Sequence, residues 1–187
     1  MRSSARSTRL AIGLTVLAVA MLDGAPAASA AGAPTCPRPT LDGGTGNDTL
    51  IGTLGADQVR GFAGDDLIST LTGADCVDAG EGADIVNGGL DDDTLIGGPG
   101  EDTVNGAAGA DAIDGGEGGG ELSGGSGADA IEGGPGFNFI QGGLDNDELV
   151  GGDDFDDIGG GRGNDDIRGG NAYDFLSGGL GNDRLQG

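Results

Sequence analysis

Aliphatic residues recur at every ninth position from Leu50 to Leu185, and the residues between them are mostly glycine or polar. Sixteen consecutive segments of nine residues, from Gly43 to Gln186, follow the pattern GGxGxDxUx, in which U is aliphatic. Positions seven and nine, which flank the aliphatic residue, are mostly polar, as in a short strand that buries one side chain. The pattern therefore predicts a repetitive fold in which each repeat is a turn followed by a short strand.

Glycine dominates positions one, two and four of the repeat. This predicts a turn whose backbone repeatedly adopts positive φ, a region that is costly for residues with a β-carbon. Three of the exceptions at position four are Asp91, Asp145 and Asp154. Aspartate tolerates the left-handed region better than most residues do, so these substitutions keep the predicted turn.

Position six is aspartate in fourteen of the sixteen repeats. A turn that offers one carboxylate and several backbone carbonyls, stacked on another such turn, gives the all-oxygen environment that Ca²⁺ prefers and that suits Mg²⁺ less well. The candidate carboxylate ligands are Asp48, Asp57, Asp66, Asp75, Asp84, Asp93, Asp102, Asp111, Asp129, Asp147, Asp156, Asp165, Asp174 and Asp183. The candidate glycines of the metal-binding turns are Gly43, Gly46, Gly88, Gly97, Gly100, Gly124, Gly127, Gly160, Gly163, Gly178 and Gly181.

These repeats resemble the RTX, or hemolysin-type, calcium-binding nonapeptide repeats. In that family two successive nonapeptides form one coil of a right-handed parallel β-roll, and Ca²⁺ lies between turns stacked on the same edge. The resemblance implies an all-β fold, a β-solenoid of about eight coils of 18 residues each. Odd-numbered repeats would line one edge of the roll and even-numbered repeats the other.

The two edges differ in sequence. Gly120 and Asn138, which replace aspartate at position six, both lie in odd-numbered repeats and are neighbours on that edge. We therefore expect a continuous series of calcium ions along the even edge and an interrupted series along the odd edge. About ten or more ions are expected in total.

The chain begins with the features of a cleavable secretory signal peptide over residues 1–30. Three arginines precede an apolar run over residues 10–22, and small residues follow up to Ala30. The apolar run is short for a membrane span, so we expect a secreted, extracellular protein without membrane insertion. The predicted organisation is a signal peptide, a Pro-rich segment or N-terminal cap over residues 31–42, and the repeat region over residues 43–187.

The two cysteines of the chain are Cys36 and Cys76. An exported chain with an even number of cysteines favours a disulfide, which would hold the Pro-rich segment over the first coils. An intermolecular bridge and two free thiols are the alternatives.

Composition excludes several functions. The chain contains no histidine and no lysine, and its formal net charge is −24. The usual general base, zinc ligand and amine nucleophile are missing, so we expect a protein that is not an enzyme. The acidic surface argues against nucleic acid as a partner.

Stacked carboxylates repel one another until cations lie between them, so we expect folding to depend on calcium.

All six aromatic residues lie in odd-numbered repeats, and five of them form a cluster. The predicted aromatic patch consists of Phe137, Phe139, Phe155, Tyr173 and Phe175. It is interpreted either as a ladder that stabilises the roll or as a surface for self-association or for a glycan or cell-surface partner. Besides a calcium-binding repeat protein, the sequence thus allows an adhesion or matrix-binding module, or the stabilising C-terminal module of a truncated secreted enzyme.

Overall fold

The computed structural model of the protein describes residues 40–187, so the predicted signal peptide lies outside the described residues. Within residues 40–187 the regular structure consists of seventeen short β-strands. This part of the chain has no helix that is long and apolar enough to cross a membrane. The strands are β1 (Thr40–Gly44), β2 (Thr49–Ile51), β3 (Gln58–Ala63), β4 (Leu67–Ser69), β5 (Cys76–Glu81), β6 (Ile85–Leu90), β7 (Thr94–Pro99), β8 (Asp102–Ala108), β9 (Ala112–Glu117), β10 (Gly120–Ser126), β11 (Ala130–Glu132), β12 (Asn138–Leu144), β13 (Glu148–Gly152), β14 (Asp157–Arg162), β15 (Asp166–Gly170), β16 (Phe175–Leu180) and β17 (Arg184–Gln186).

The strands form two parallel sheets. The odd-numbered strands β1 to β17 form a nine-stranded sheet in chain order, and the even-numbered strands β2 to β16 form an eight-stranded sheet. Paired residues are eighteen positions apart, as where Leu122 pairs with Val104 on one side and with Ile140 on the other. Two nonapeptides therefore complete one coil, which confirms the expected all-β parallel solenoid of about eight turns.

The core lies between the two sheets and is built from position eight of the repeats. These side chains are at most 7% exposed from Leu50 to Ile167, and each contributes roughly 1.5–3 kcal/mol of burial free energy. The residues are Leu50, Val59, Ile68, Val77, Val86, Leu95, Val104, Ile113, Leu122, Ile131, Ile140, Leu149, Ile158 and Ile167. One inward residue per repeat gives a long and thin core.

The first strand begins before the first predicted repeat. Strand β1 starts at Thr40, and its Leu41 pairs with Val59 of β3 and packs against the core. Leu41 lies eighteen residues before Val59, so it falls on the same series of inward positions although the residues before it lack the glycine pattern. The sheet thus extends into the segment that was predicted as an N-terminal cap.

The prediction of positive φ is right for positions two and four and wrong for position one. Most glycines at positions two and four have positive φ, for example Gly98 at 106° and Gly100 at 151°. Asp91 and Asp145 also adopt it at position four, but Asp154 does not. No position-one glycine of the described repeats has positive φ. Glycine at position one therefore has another cause, which lies in the geometry of the turn.

Candidate metal sites

The position-six aspartates form two columns along the edges of the solenoid. In one of them, the continuous column, the backbone N–H of each aspartate donates to Oδ1 of the aspartate eighteen residues later. The donor–acceptor distances run from 2.7 Å at the Asp57–Asp75 step to 3.1 Å at the Asp165–Asp183 step. The members of the continuous column are Asp57, Asp75, Asp93, Asp111, Asp129, Asp147, Asp165 and Asp183.

The second column is interrupted in its middle. The same bonding between aspartates links Asp48 through to Asp102 and resumes between Asp156 and Asp174. The backbone N–H of Asn138 also donates to Oδ1 of Asp156, at 2.9 Å. Gly120 and Asn138 lie at the corresponding positions between these two runs, in register with Asp102. This interrupted column therefore comprises Asp48, Asp66, Asp84, Asp102, Gly120, Asn138, Asp156 and Asp174.

The second carboxylate oxygen of these aspartates is buried without a partner. Oδ2 accepts no hydrogen bond in eleven of the column aspartates. These are Asp66, Asp75, Asp84, Asp93, Asp102, Asp111, Asp129, Asp147, Asp156, Asp165 and Asp174. A buried carboxylate oxygen without a partner is strongly destabilising, whereas a hard divalent cation beside it removes the penalty. The donor set therefore fits Ca²⁺.

Position-one glycines make room for this oxygen. A β-carbon built on Gly97 would lie 2.6 Å from Oδ2 of Asp102 and 2.7 Å from the carbonyl oxygen of Gly115 in the next coil. The candidate glycines Gly43, Gly88, Gly124, Gly160 and Gly178 are likewise next to the carboxylate of their own repeat. Of the position-four candidates, Gly100, Gly127, Gly163 and Gly181 have positive φ, and Gly46 does not. The two kinds of glycine thus serve different needs of one turn.

Replacing Gly97 by alanine is expected to destabilise the calcium-loaded protein by about 1–3 kcal/mol, because the methyl group has no space beside the carboxylate. Gly46→Ala is the matched control, since a β-carbon there meets nothing within 4 Å. Urea unfolding at saturating calcium measures both variants. Equal midpoints for Gly97→Ala and the wild type would contradict the role given to position one.

Burial raises the pKa of many column aspartates, because the charged form loses its hydration. The pKa of Asp93 and that of Asp129 rise to about 7, and the pKa of Asp102 and that of Asp147 rise to about 6. The hydrogen bond from the backbone N–H of the preceding coil opposes the rise, and neighbouring carboxylates add to it. Asp75, Asp84, Asp111, Asp156 and Asp165 shift in the same direction.

The raised pKa values predict how pH acts on the roll. Their folded values lie above the ordinary 3.8, so their contribution to the stability of the metal-free roll is complete below about pH 4 and is lost as pH rises through 6 to 7. Calcium requires the ionised carboxylates, so protons compete with it. We expect calcium affinity to be weaker by about tenfold or more at about pH 5 than at about pH 8. Titration calorimetry tests this, and an affinity that does not change with pH would contradict it.

Each turn supplies few side-chain ligands. Within residues 40–187 no group of three or more Asp, Glu, Cys or His side chains converges on one point. An ion between two coils therefore has at most two carboxylates as side-chain ligands, and backbone carbonyls must complete its coordination of six to eight oxygens. The repeat pattern located the carboxylates, but the identity of the carbonyls depends on how the turns stack.

Fold and site together define a parallel β-solenoid with stacked metal-binding turns. The sequence model of the RTX calcium-binding nonapeptide repeat matches residues 42–75, 60–95, 87–122, 123–158 and 159–187. The chain therefore belongs to the RTX calcium-binding nonapeptide repeat family, and the prediction of multiple bound Ca²⁺ ions is confirmed. No curated protein gives a significant match to the chain.

One of the two cysteines lies among the described residues. Cys76, in strand β5, is disulfide-bonded. Cys36, the other cysteine of the chain, lies outside the described residues.

The predicted aromatic patch lies along the interrupted column. Phe137 and Phe155 stack with their ring centroids 5.7 Å apart and their planes at 8°. Tyr173 is 90% exposed, and Phe139 and Phe175 are also exposed. The stacked pair supports a ladder, and the exposed rings leave an apolar surface.

Proposed function

We propose that this protein is a secreted, non-enzymatic calcium-binding protein whose right-handed β-roll folds on binding extracellular Ca²⁺. The buried, unpartnered Oδ2 atoms carry the proposal. At neutral pH a metal-free roll would hold rows of desolvated carboxylates that repel one another. When bound, calcium supplies the positive charge between successive coils that makes this arrangement stable.

The residues of the turn determine where positive charge is needed between successive coils. Aspartates at position six present Oδ2, and position-one glycines leave the space for it. Each Oδ1 accepts a hydrogen bond from the backbone N–H of the aspartate in the preceding coil, which joins the two coils. Along the continuous column this linkage repeats over seven steps, and along the interrupted column over four. The proposal assigns one ion to each step, eleven in all, in keeping with the expected ten or more.

The proposed location is the extracellular space, because residues 1–30 have the pattern of a signal peptide and calcium is abundant there. Expression of the full chain in a secreting host tests this. The protein recovered from the medium should begin at Ala31, and intact calcium-loaded protein should be found there. A chain that retains its N-terminal residues and stays inside the cells would contradict secretion without affecting calcium binding.

The same chemistry supports a non-enzymatic role. The carboxylates recur with one geometry in every turn, whereas acid–base catalysis by two carboxylates needs one distinct pair in a cleft. Histidine and lysine, the common general base and amine nucleophile, are absent from the sequence. The repeat turns are therefore assigned to metal binding and folding.

The aromatic patch favours a second role, in adhesion or self-association. Next to it lies a groove of about 380 Å³, whose lining includes Phe137, Phe139, Glu101 and Glu121. Exposed rings beside polar groups suit a glycan or protein partner.

Substitution of both Phe155 and Tyr173 by serine distinguishes the two interpretations of the patch. Unchanged melting of the calcium-loaded protein with loss of self-association or glycan binding would support a binding surface. Loss of stability alone would rule it out and leave the stabilising ladder.

A further inference from the structure

Asn138 occupies a position-six site of the interrupted column and is fully buried. Its side-chain Nδ2 donates to the carbonyl oxygens of Gly134 and Gly136 at 3.1 Å and 3.0 Å, and it lies 3.0 Å from Oδ1 of Asp156 in the next coil. One amide nitrogen is therefore surrounded by three oxygens from two successive coils. In this orientation Oδ1 of Asn138 is buried without a hydrogen-bond partner. The reverse orientation would place Oδ1 against those three oxygens and lose the contacts of Nδ2, so the hydrogen bonds favour Nδ2 in this place.

The amide nitrogen lies where the aspartate turns have an unpaired oxygen. A β-carbon built on Gly133 would lie 2.6 Å from Nδ2 of Asn138, the same separation as between Gly97 and Oδ2 of Asp102. In the aspartate turns this place holds an acceptor without a donor. In the Asn138 turn it holds a donor that is already bonded.

From this equivalence we infer that the turn of Asn138 binds no metal ion. Its amide nitrogen contacts the oxygens that correspond to those a cation contacts in the aspartate turns. The inference rests on the proposed binding of calcium between aspartate turns. It makes Asn138 a specificity-determining residue, because its amide decides that this step of the column takes no ion.

The neighbouring glycine turn is also closed without a carboxylate. The N–H of Gly120 donates to the carbonyl oxygen of Phe137 at 3.1 Å, and the N–H of Asp102 lies 3.4 Å from the carbonyl oxygen of Gly119. Accordingly, three neighbouring strands of this sheet, β8, β10 and β12, begin at position six of the repeat. The strands on either side of them, β6 and β14, begin one residue later in the repeat, at position seven. Backbone pairing and the Asn138 amide together form a metal-free seam, from Asp102 to Asn138, in the middle of the interrupted column.

The metal-free seam leads to a prediction about the number of calcium ions that a variant binds. In Asn138→Asp the new carboxylate would face Asp156 in the register of the other aspartate steps. We expect this variant to bind one more calcium ion per chain than the wild type, counted by native mass spectrometry of the purified protein. Asn146→Asp is the matched control. Asn146 is exposed at position five, where aspartate already occurs as Asp92 in the same hydrogen-bonding role, so this variant should add no ion.

A second variant, Asn138→Ala, tests the inference by stability and does not depend on the ion count. Asn138→Ala removes the donor and should lower the urea midpoint of the protein even at saturating calcium, because the contacts of Nδ2 with three oxygens are lost and alanine supplies neither a donor nor a metal ligand in their place.

Three results would overturn the inference. An equal ion count in Asn138→Asp and the wild type would show that the amide does not exclude metal. An unchanged midpoint in Asn138→Ala would show that the amide does not hold the turn. If the wild type bound no calcium, the proposed function would be wrong. The inference about Asn138 would then fail as well, because there would be no cation whose place its amide could take.

Discussion

Replacing Asp129 by alanine is expected to remove two calcium ions and to raise the calcium concentration at which the protein folds. Asp129 lies in the middle of the continuous column, where its Oδ1 accepts the N–H of Asp111 at 2.9 Å and its own N–H donates to Asp147 at 2.9 Å. Asp129 therefore takes part in two successive steps of the column, with its carboxylate in one and its backbone N–H in the other. Each proposed ion depends on the carboxylates on both sides of it, so both ions are lost.

The size of this effect follows from linkage. With calcium at about tenfold its dissociation constant, each site contributes about 1.4 kcal/mol, and two sites contribute about 3 kcal/mol. The buried N–H of Asp111 also loses its acceptor, at a cost of about 1–3 kcal/mol. Calcium-dependent unfolding followed by circular dichroism measures the sum.

Glu117→Ala is the control for Asp129→Ala. It removes the same charge from an exposed side chain outside both columns. The control should fold at the calcium concentration of the wild type. A similar shift in both variants would mean that Asp129 acts through net charge alone.

The replacement of Ile113 by alanine is expected to destabilise the protein by about 2–5 kcal/mol even when calcium is saturating. Ile113 is 1% exposed in β9 and packs in the narrow core between the two sheets. A core with one inward residue per repeat has few neighbours that can move into the cavity. The cavity left by this side chain should therefore stay open, at the full cost in stability.

Ile85→Ala deletes the same atoms from a surface position, because Ile85 is 52% exposed in β6. Its effect should stay within about 0.5 kcal/mol. Urea unfolding at saturating calcium compares the two variants. Similar losses of stability would contradict the assignment of the core to position eight.

The sequence was sufficient for the periodic part of the structure. A strict period of nine, taken with the family resemblance, gave the register of eighteen, and it placed inward residues such as Ile113 and the aspartates of both columns. It also located the interruption, since Gly120 and Asn138 break the pattern at neighbouring places. These features follow because the structure repeats with the period of the sequence, so the pattern of a single repeat is enough to predict them.

Features that depend on contacts between coils were not accessible in this way. Positive φ explained position two, but glycine at position one, as at Gly97, is required by a carboxylate five residues later in the chain. The role of the Asn138 amide depends on carbonyl oxygens of its own turn and on Asp156 in the next coil. Strand β1 was missed because Leu41 keeps the inward series without the glycines that mark it.

A calcium titration of the purified protein, followed by far-ultraviolet circular dichroism with a magnesium control, tests the central claim most directly. In chelator at neutral pH the β-sheet signal should be weak. Addition of calcium up to the millimolar range should restore it cooperatively, magnesium should not, and chelator should reverse it. A full β-sheet signal in chelator, or a chain that stays disordered at high calcium, would contradict a roll that calcium folds.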